Sequence, residues 1–164
     1  MATEIKKGGA AREVTITRVM DAPIEKVWRA WTDPKEISKW WGPRGVSNPV
    51  CEIDLRVGGS VYIVMLAGKE LGPLAGERWP MRGTFREIDS PHRLVFANNA
   101  VDEAGNILIE GETTLVLKEE GKKTRLTLTT RAQGRAPQAP QMLDGMKAGW
   151  TQSIDKLEEL LGGR

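Results

Sequence analysis

The chain has 164 residues, with 24 basic against 22 acidic side chains, a formal net charge of +2 and a single cysteine. That length suits one domain with a sizeable core, one cysteine excludes an intramolecular disulfide, and charges of both signs scattered along the chain exclude the strong field that nucleic acid or an anionic membrane would require. No window approaches the roughly 20 apolar residues of a membrane helix, "MATEIKKGGAA" lacks the apolar core of a signal peptide, and the lone Cys51 fits a reducing, cytoplasmic setting.

Residues 1–11 are small, polar and glycine-bearing, and read as a flexible tail before a single domain over 12–161. "REVTITRVM" is rich in β-branched residues and places Val14, Ile16 and Met20 on one face at period two, which predicts a first strand. In "DAPIEKVWRAW" the period changes: Ile24, Val27, Trp28 and Trp31 recur at helical spacing behind Pro23. "TDPKEISKWWGP" predicts a second short helix over Pro34 to Trp41, with Asp33 as N-cap, Pro34 at the first helical position, Glu36 three residues after the cap and Gly42-Pro43 as the stop. Adjacent residues on a helix lie about 100° apart, so Trp40 and Trp41 cannot face the same way. The i, i+4 relation to Ile37 assigns Trp41 to the core and Trp40 to the rim of any binding site.

From Cys51 to Arg131 the pattern is β. "CEIDLRVGG" alternates Cys51, Ile53, Leu55 and Val57 against Glu52, Asp54 and Arg56, and the glycine pair turns into "SVYIVML". "AGKELGPLAGER" reads as a long mobile loop, followed by "WPMRGTFREID", "RLVFANN", "ILIEGETTLVLKEE" and "TRLTLTTR" as successive antiparallel strands. Beyond the linker "AQGRAPQAPQ", Leu143, Met146, Trp150, Ile154, Leu157 and Leu161 form the apolar stripe of a long terminal helix. The order gives an α+β fold: a curved antiparallel sheet of about seven strands, two short helices after the first strand, and a long C-terminal helix across the sheet.

Catalytic signatures are not recognised. His92 stands in a turn without a nucleophile motif, no phosphate loop or metal-ligand spacing occurs, and Cys51 falls on an apolar face as a small hydrophobe. A binding signature is broader. Strand parity puts Trp79, Met81 and Phe85 on one face and Phe96 with Asn98 on the inward face of the next strand, with Met65 on a strand that is apolar on both faces. The first half of the terminal helix brings Met142, Met146 and Trp150 toward the sheet, and adaptable methionines suit a pocket that moulds to a ligand. Taken singly, each of these side chains reads as core packing before it reads as a ligand contact.

The segments "DAPIEKVWRAWTDPKEISKWWGP", "DLRVGGSVYIVM", "GTFREIDSPHRLVFA", "TRLTLT" and "DGMKAGWTQSIDKLEELL" together resemble, in order, the activator-of-heat-shock-protein-ATPase-like domains of the START-like (SRPBCC, Bet v-type) superfamily. The resemblance runs from Arg12 to Leu161 and implies a helix-grip fold with a hydrophobic cavity between sheet and terminal helix. It also implies one of three activities known in such proteins: binding of apolar small molecules, a co-chaperone role in the stress response, or polyketide cyclisation. The co-chaperones that name the family carry an additional N-terminal domain, which places the chaperone role second here. Together with the resemblance, the cluster Trp40, Trp41, Met65, Trp79, Met81, Phe85, Phe96, Asn98, Met142, Met146 and Trp150 is expected to bind an apolar or amphipathic small molecule. Neither catalysis, metal nor cofactor is expected, and a chaperone is the alternative partner of a monomer or homodimer. The cyclase or hydrolase alternative would need inward titratable groups, whereas parity turns Glu52, Asp54 and Arg56 away from the apolar face.

Overall fold

A computed structural model describes residues 11–162. The tail expected over 1–11 therefore lies outside the described residues except for Ala11, which already opens β1. The strands are β1 (Ala11–Met20), β2 (Val46–Ile53), β3 (Ser60–Ala67), β4 (Arg78–Asp89), β5 (Arg93–Ala97), β6 (Asn99–Val101), β7 (Ile107–Glu120) and β8 (Lys123–Gly134). The helices are α1 (Ile24–Thr32), α2 (Pro34–Ile37), α3 (Ala139–Asp144) and α4 (Met146–Leu161), and a 3-10 segment spans Lys69–Leu74. All pairings are antiparallel in the order β1-β8-β7-β5-β4-β3-β2, with β6 paired to β4 and β7.

Eight strands replace the expected seven because "RLVFANN" divides at Asn98, whose N–H bonds to the Gly111 carbonyl instead of continuing β5. The bend brings the chain hard against β4. A Cβ on Gly83 would stand 1.7 Å from the Ala97 carbonyl oxygen, so this crossing requires a residue without a side chain. Register shifts in β2 between Ser47 and Val50 and in β4 between Phe85 and Glu87 add the local bends and twist that curl a long sheet around a helix.

The inner face follows the expected parity over most of its length. Val14, Met20, Val61, Ile63, Met81, Phe85, Leu94, Phe96, Leu115, Leu117, Leu126 and Leu128 are buried, and Ile154, Leu157 and Leu161 of α4 close over them. Leu55 and Val57, expected to continue the inward row of β2, are exposed because that strand stops at Ile53 and the chain turns through Asp54 to Gly59. Val64, on the opposite face of β3, is also buried, which accounts for a strand apolar on both sides. The long loop after β3 takes its 3-10 turn from Lys69 and folds back on the chain ahead of β2, with Gly68 N–H on the Gly45 carbonyl and Leu71 against Gly45.

The α2 segment is shorter than expected. Asp33 caps it as predicted, its Oδ1 accepting from Lys35 N–H at 2.8 Å behind Pro34. Glu36, however, pairs with Lys39 at 3.4 Å rather than closing a capping box. After Ile37 the N–H groups of Lys39 and Trp40 bond three residues back, at 3.1 and 3.3 Å, so the last turn tightens toward 3-10 geometry. The terminal helix is also divided: α3 ends at Gly145, and α4 starts anew at Met146.

Candidate functional site

The tight turn after Ile37 decides which tryptophan does what. Trp40 is 0% exposed, its indole N–H donates to the Ala30 carbonyl of α1 at 2.9 Å, and its ring meets Trp31 edge to face at 4.6 Å. It is the anchor of this segment, not the rim residue expected from α-helical phase. Trp41, 5% exposed, turns toward the sheet and α4, with ring centroids 6.5 Å from Phe96 and 5.3 Å from Trp150. The expectation fails because both sides of the turn are covered: Trp41 keeps the bond four residues back to the Ile37 carbonyl at 3.0 Å and faces the sheet, while Trp40 docks on α1, an element that helical phase alone does not place.

Asn48 of β2 fixes this turn from below, its side-chain amide donating to the carbonyls of Ser38 at 3.1 Å and Trp41 at 2.8 Å. Gly42 follows with φ at +92°, and a Cβ there would come within 2.5 Å of the Met65 sulfur. A side chain at Gly42 would thus meet both a left-handed backbone and a neighbouring methionine. Sequence reading did not single out Asn48, since a lone asparagine beside a proline gives no sign of carbonyls it would reach seven and ten residues back.

The remaining expected residues separate into three groups. Met81, Phe85 and Phe96 are buried on the inner face, with the two phenylalanine rings 6.1 Å apart. Met65, Trp79, Met146 and Trp150 are half-buried; Met65 pairs with Trp79 across β3 and β4, and Trp79 donates its indole N–H to Glu77 at 3.0 Å. Met142 does not join them, because it is 37% exposed on α3. The break at Gly145 resets the helical phase, so Ala139 and Leu143 are the residues that α3 buries. The aromatic residues form one connected layer, since Trp150 lies nearly parallel to Trp31 at 6.4 Å and Trp41 links this pair to Phe96 and Phe85.

Asn98 was expected as the polar exception on the inner face. It is half-buried, and its amide donates to the Thr113 hydroxyl at 3.1 Å, which in turn exchanges a hydrogen bond with Thr130 at 3.0 Å. Thr113 and Thr130 are buried, so the apolar inner face carries a polar strip across β7 and β8. Threonine in an alternating strand carries no sign of such a role, and only the register that places Thr113 opposite both Phe96 and Thr130 reveals it.

The two halves of α4 are held differently. Arg18 of β1 binds Asp155 and Glu158 at 2.8 and 3.0 Å, Arg44 binds Glu159 at 2.5 Å, and Lys156 donates to the Pro43 carbonyl at 3.2 Å. Burial, with Arg44 nearby, pushes the Lys156 ammonium below its usual pKa. The charged ties all fall on the second half; the first half is tied at its end by the Arg44 backbone N–H donating to Gln152 Oε1 at 2.9 Å, and the α3 end carries an exposed Arg12–Asp144 pair. Two surface concavities, of about 230 and 260 Å³, lie on the outer sheet face around Tyr62 and Arg82 and beside Arg44 and Glu159, away from the aromatic layer.

Candidate titratable groups lie outside that layer. Glu52, Asp54 and His92 are exposed, and Arg56 pairs with Asp54 at 2.9 Å. Cys51 packs against the core, and burial pushes its thiol up to about 11. Among the described residues, no group of three His, Cys, Asp or Glu is placed to hold a metal, and no helix is long and apolar enough to cross a membrane.

The model of the family described as activator of Hsp90 ATPase homolog 1-like protein matches residues 21–162. The chain belongs to this family. Its match takes in the tryptophan turn Trp40-Trp41-Gly42 and the Gly149-Trp150 pair of α4, together with the whole sheet after β1. Among solved structures, the chain is similar to a protein of Nitrosomonas europaea at 28% identity, covering 92% of this chain and 94% of that one with a TM-score of 0.73. A Chromobacterium violaceum protein is 27% identical over 91% and 96% of the two chains, with a TM-score of 0.74. The AHSA1 protein of Silicibacter pomeroyi, 22% identical over 92% and 98% with a TM-score of 0.74, has the same START-like fold. No curated protein matches the chain.

Proposed function

We propose that this family member is a non-enzymatic binder of an apolar or amphipathic small molecule, held between the inner face of the sheet and the first half of α4. The observation that carries the reading is that Met65 and Trp150 are half-buried and pack against the aromatic core, Trp150 from the first half of α4, which has no ionic ties; Met146 stands one turn before Trp150 on that helix, and Trp79 pairs with Met65 across β3 and β4. Methionine and tryptophan adapt to a guest and gain from its burial, at about 25 cal/mol per Å² of apolar area. A ligand enters by moving Trp150 and Met146 outward, with Gly145 as the joint, while the tied second half of α4 stays in place. The Asn98–Thr113–Thr130 strip offers hydroxyl and amide groups to the polar end of an amphipathic guest. The exposed positions of Glu52, Asp54 and His92 favour binding over catalysis. The free thiol of Cys51 suits a cytoplasmic protein.

Native mass spectrometry of the protein as isolated, with a thermal-shift screen of lipids and polycyclic aromatics, tests this. A bound apolar mass or a stabilising ligand is expected, and a protein recovered empty and stabilised by none of them refutes the reading. The family description favours a second reading, stimulation of a chaperone ATPase. Activation of a cognate chaperone's ATPase would support it, and failure to co-purify with any chaperone would end it.

A further inference from the structure

Trp31 carries a buried polar group that the fold leaves without a partner. Its side chain is 1% exposed, and its indole nitrogen makes no hydrogen bond among the described residues. Trp40, whose ring meets that of Trp31, is different: its indole N–H donates to Ala30 O. An indole N–H buried without an acceptor forfeits the hydrogen bonds that water gives it in the unfolded chain, and native cores satisfy the great majority of such groups.

The surroundings of Trp31 specify what would satisfy it. Its ring lies 6.4 Å from Trp150 at 15° and 4.6 Å from Trp40, so any guest reaching it meets aromatic faces and edges. Flat, apolar ring systems stack favourably against such walls. A carboxylate or phosphate is disfavoured there, because Arg18 is engaged by Asp155 and Glu158, Arg44 by Glu159 and Lys156 by the Pro43 carbonyl, and Lys147 of α4 is exposed to solvent, away from the buried Trp31 ring. A buried anion facing one neutral donor would keep most of its desolvation cost. A neutral oxygen acceptor suits a single N–H.

We propose that the Trp31 indole N–H is the specificity-determining donor of the ligand site, selecting flat apolar molecules that carry a neutral carbonyl-type oxygen over their hydrocarbon counterparts. The proposal rests on the binding function above and adds the chemistry that the site recognises. Trp150 then acts as the movable wall that admits the ring, and because an indole N–H lies in its ring plane, the oxygen is read at the edge of Trp31 and not on its face.

The test uses 9-fluorenone and fluorene, which share a three-ring frame and differ in C=O against CH₂, with dissociation constants measured by titration calorimetry and tryptophan quenching. Fluorenone is expected to bind roughly tenfold more tightly, the equivalent of one net hydrogen bond. Replacing Trp31 with β-(3-benzothienyl)alanine, which keeps the bicyclic shape and removes the N–H, brings the ratio to about one and leaves fluorene affinity unchanged. The ligand-free replacement melts at the same temperature as the native protein or higher, because no satisfied bond is lost. Equal binding of the two probes to native protein overturns the role of Trp31 while leaving an apolar binding site standing. A lowered melting temperature of the ligand-free replacement overturns it too, since the N–H is then already satisfied against the Trp40 ring. Binding of neither probe removes both the proposed site and this inference.

Discussion

Trp40 and Trp41 are adjacent and both buried, yet substitution by phenylalanine should separate them. In Trp40→Phe the indole N–H that donates to Ala30 O at 2.9 Å is lost, and Ala30 itself is buried, so its carbonyl is left without that partner. An unpartnered buried acceptor costs about 1–3 kcal/mol. The missing ring atoms next to Trp31 add about 1 kcal/mol as a small cavity. The sum is about 2–4 kcal/mol, which at about 2–4 °C per kcal/mol for a domain of this size lowers the melting temperature by roughly 5–15 °C. Trp41→Phe removes ring atoms facing Phe96 and Trp150 but breaks no hydrogen bond found in the structure, so about 1 kcal/mol is expected. Urea titrations of both variants, read by far-UV circular dichroism so that the lost fluorophore does not matter, give the two differences. Equal destabilisation within about 0.5 kcal/mol, or a larger loss for Trp41→Phe, would refute the anchor assignment and the hydrogen-bond account behind it.

Three further outcomes follow from local geometry. Asn48→Ala removes both amide donors under the tryptophan turn and is expected to cost about 2–3 kcal/mol in urea unfolding, although no core volume of note is lost. Gly83→Ala places a Cβ 1.7 Å from the Ala97 carbonyl oxygen and is expected to destabilise by about 3 kcal/mol or more, read as a fall in melting temperature or a failure to recover folded protein. Cys51, with its thiol pushed up to about 11 by burial, should react with iodoacetamide at pH 8 far more slowly in the native protein than in urea. The unfolded thiol ionises at lower pH than the native one, so this group makes stability fall as pH rises from the ordinary cysteine pKa toward about 11. Equal alkylation rates in the two states would show that the thiol is not held in the core.

The antiparallel succession of β7 and β8, the Asp33 cap and the inward row Met81, Phe85 and Phe96 were legible because each rests on short-range rules: period two, a side chain reaching its own helix start, and turns closed by nearby glycines. Met142 was misplaced for an equally local reason. A stripe counted through Gly145 assumes one continuous helix, and the chain restarts its phase there. Leu55 and Val57 were misplaced because alternation does not mark where a strand loses its partner.

By itself the sequence determined the class of the fold, the covered face of most strands and the presence of an aromatic cluster, since these follow from backbone periodicity and from burying apolar area. Only the tertiary structure decided the division of labour within that cluster. Whether Trp40 or Trp41 is the anchor depends on a carbonyl ten residues earlier in the chain, at Ala30, and the polar strip of Asn98, Thr113 and Thr130 exists only because β7 and β8 pair and the break between β5 and β6 falls beside them. The isolation of the Trp31 N–H is likewise set by every element packed around it. A hydrogen bond needs its partner within about 3 Å and in line, and distances of that kind between segments remote in sequence are fixed only when the chain closes on itself.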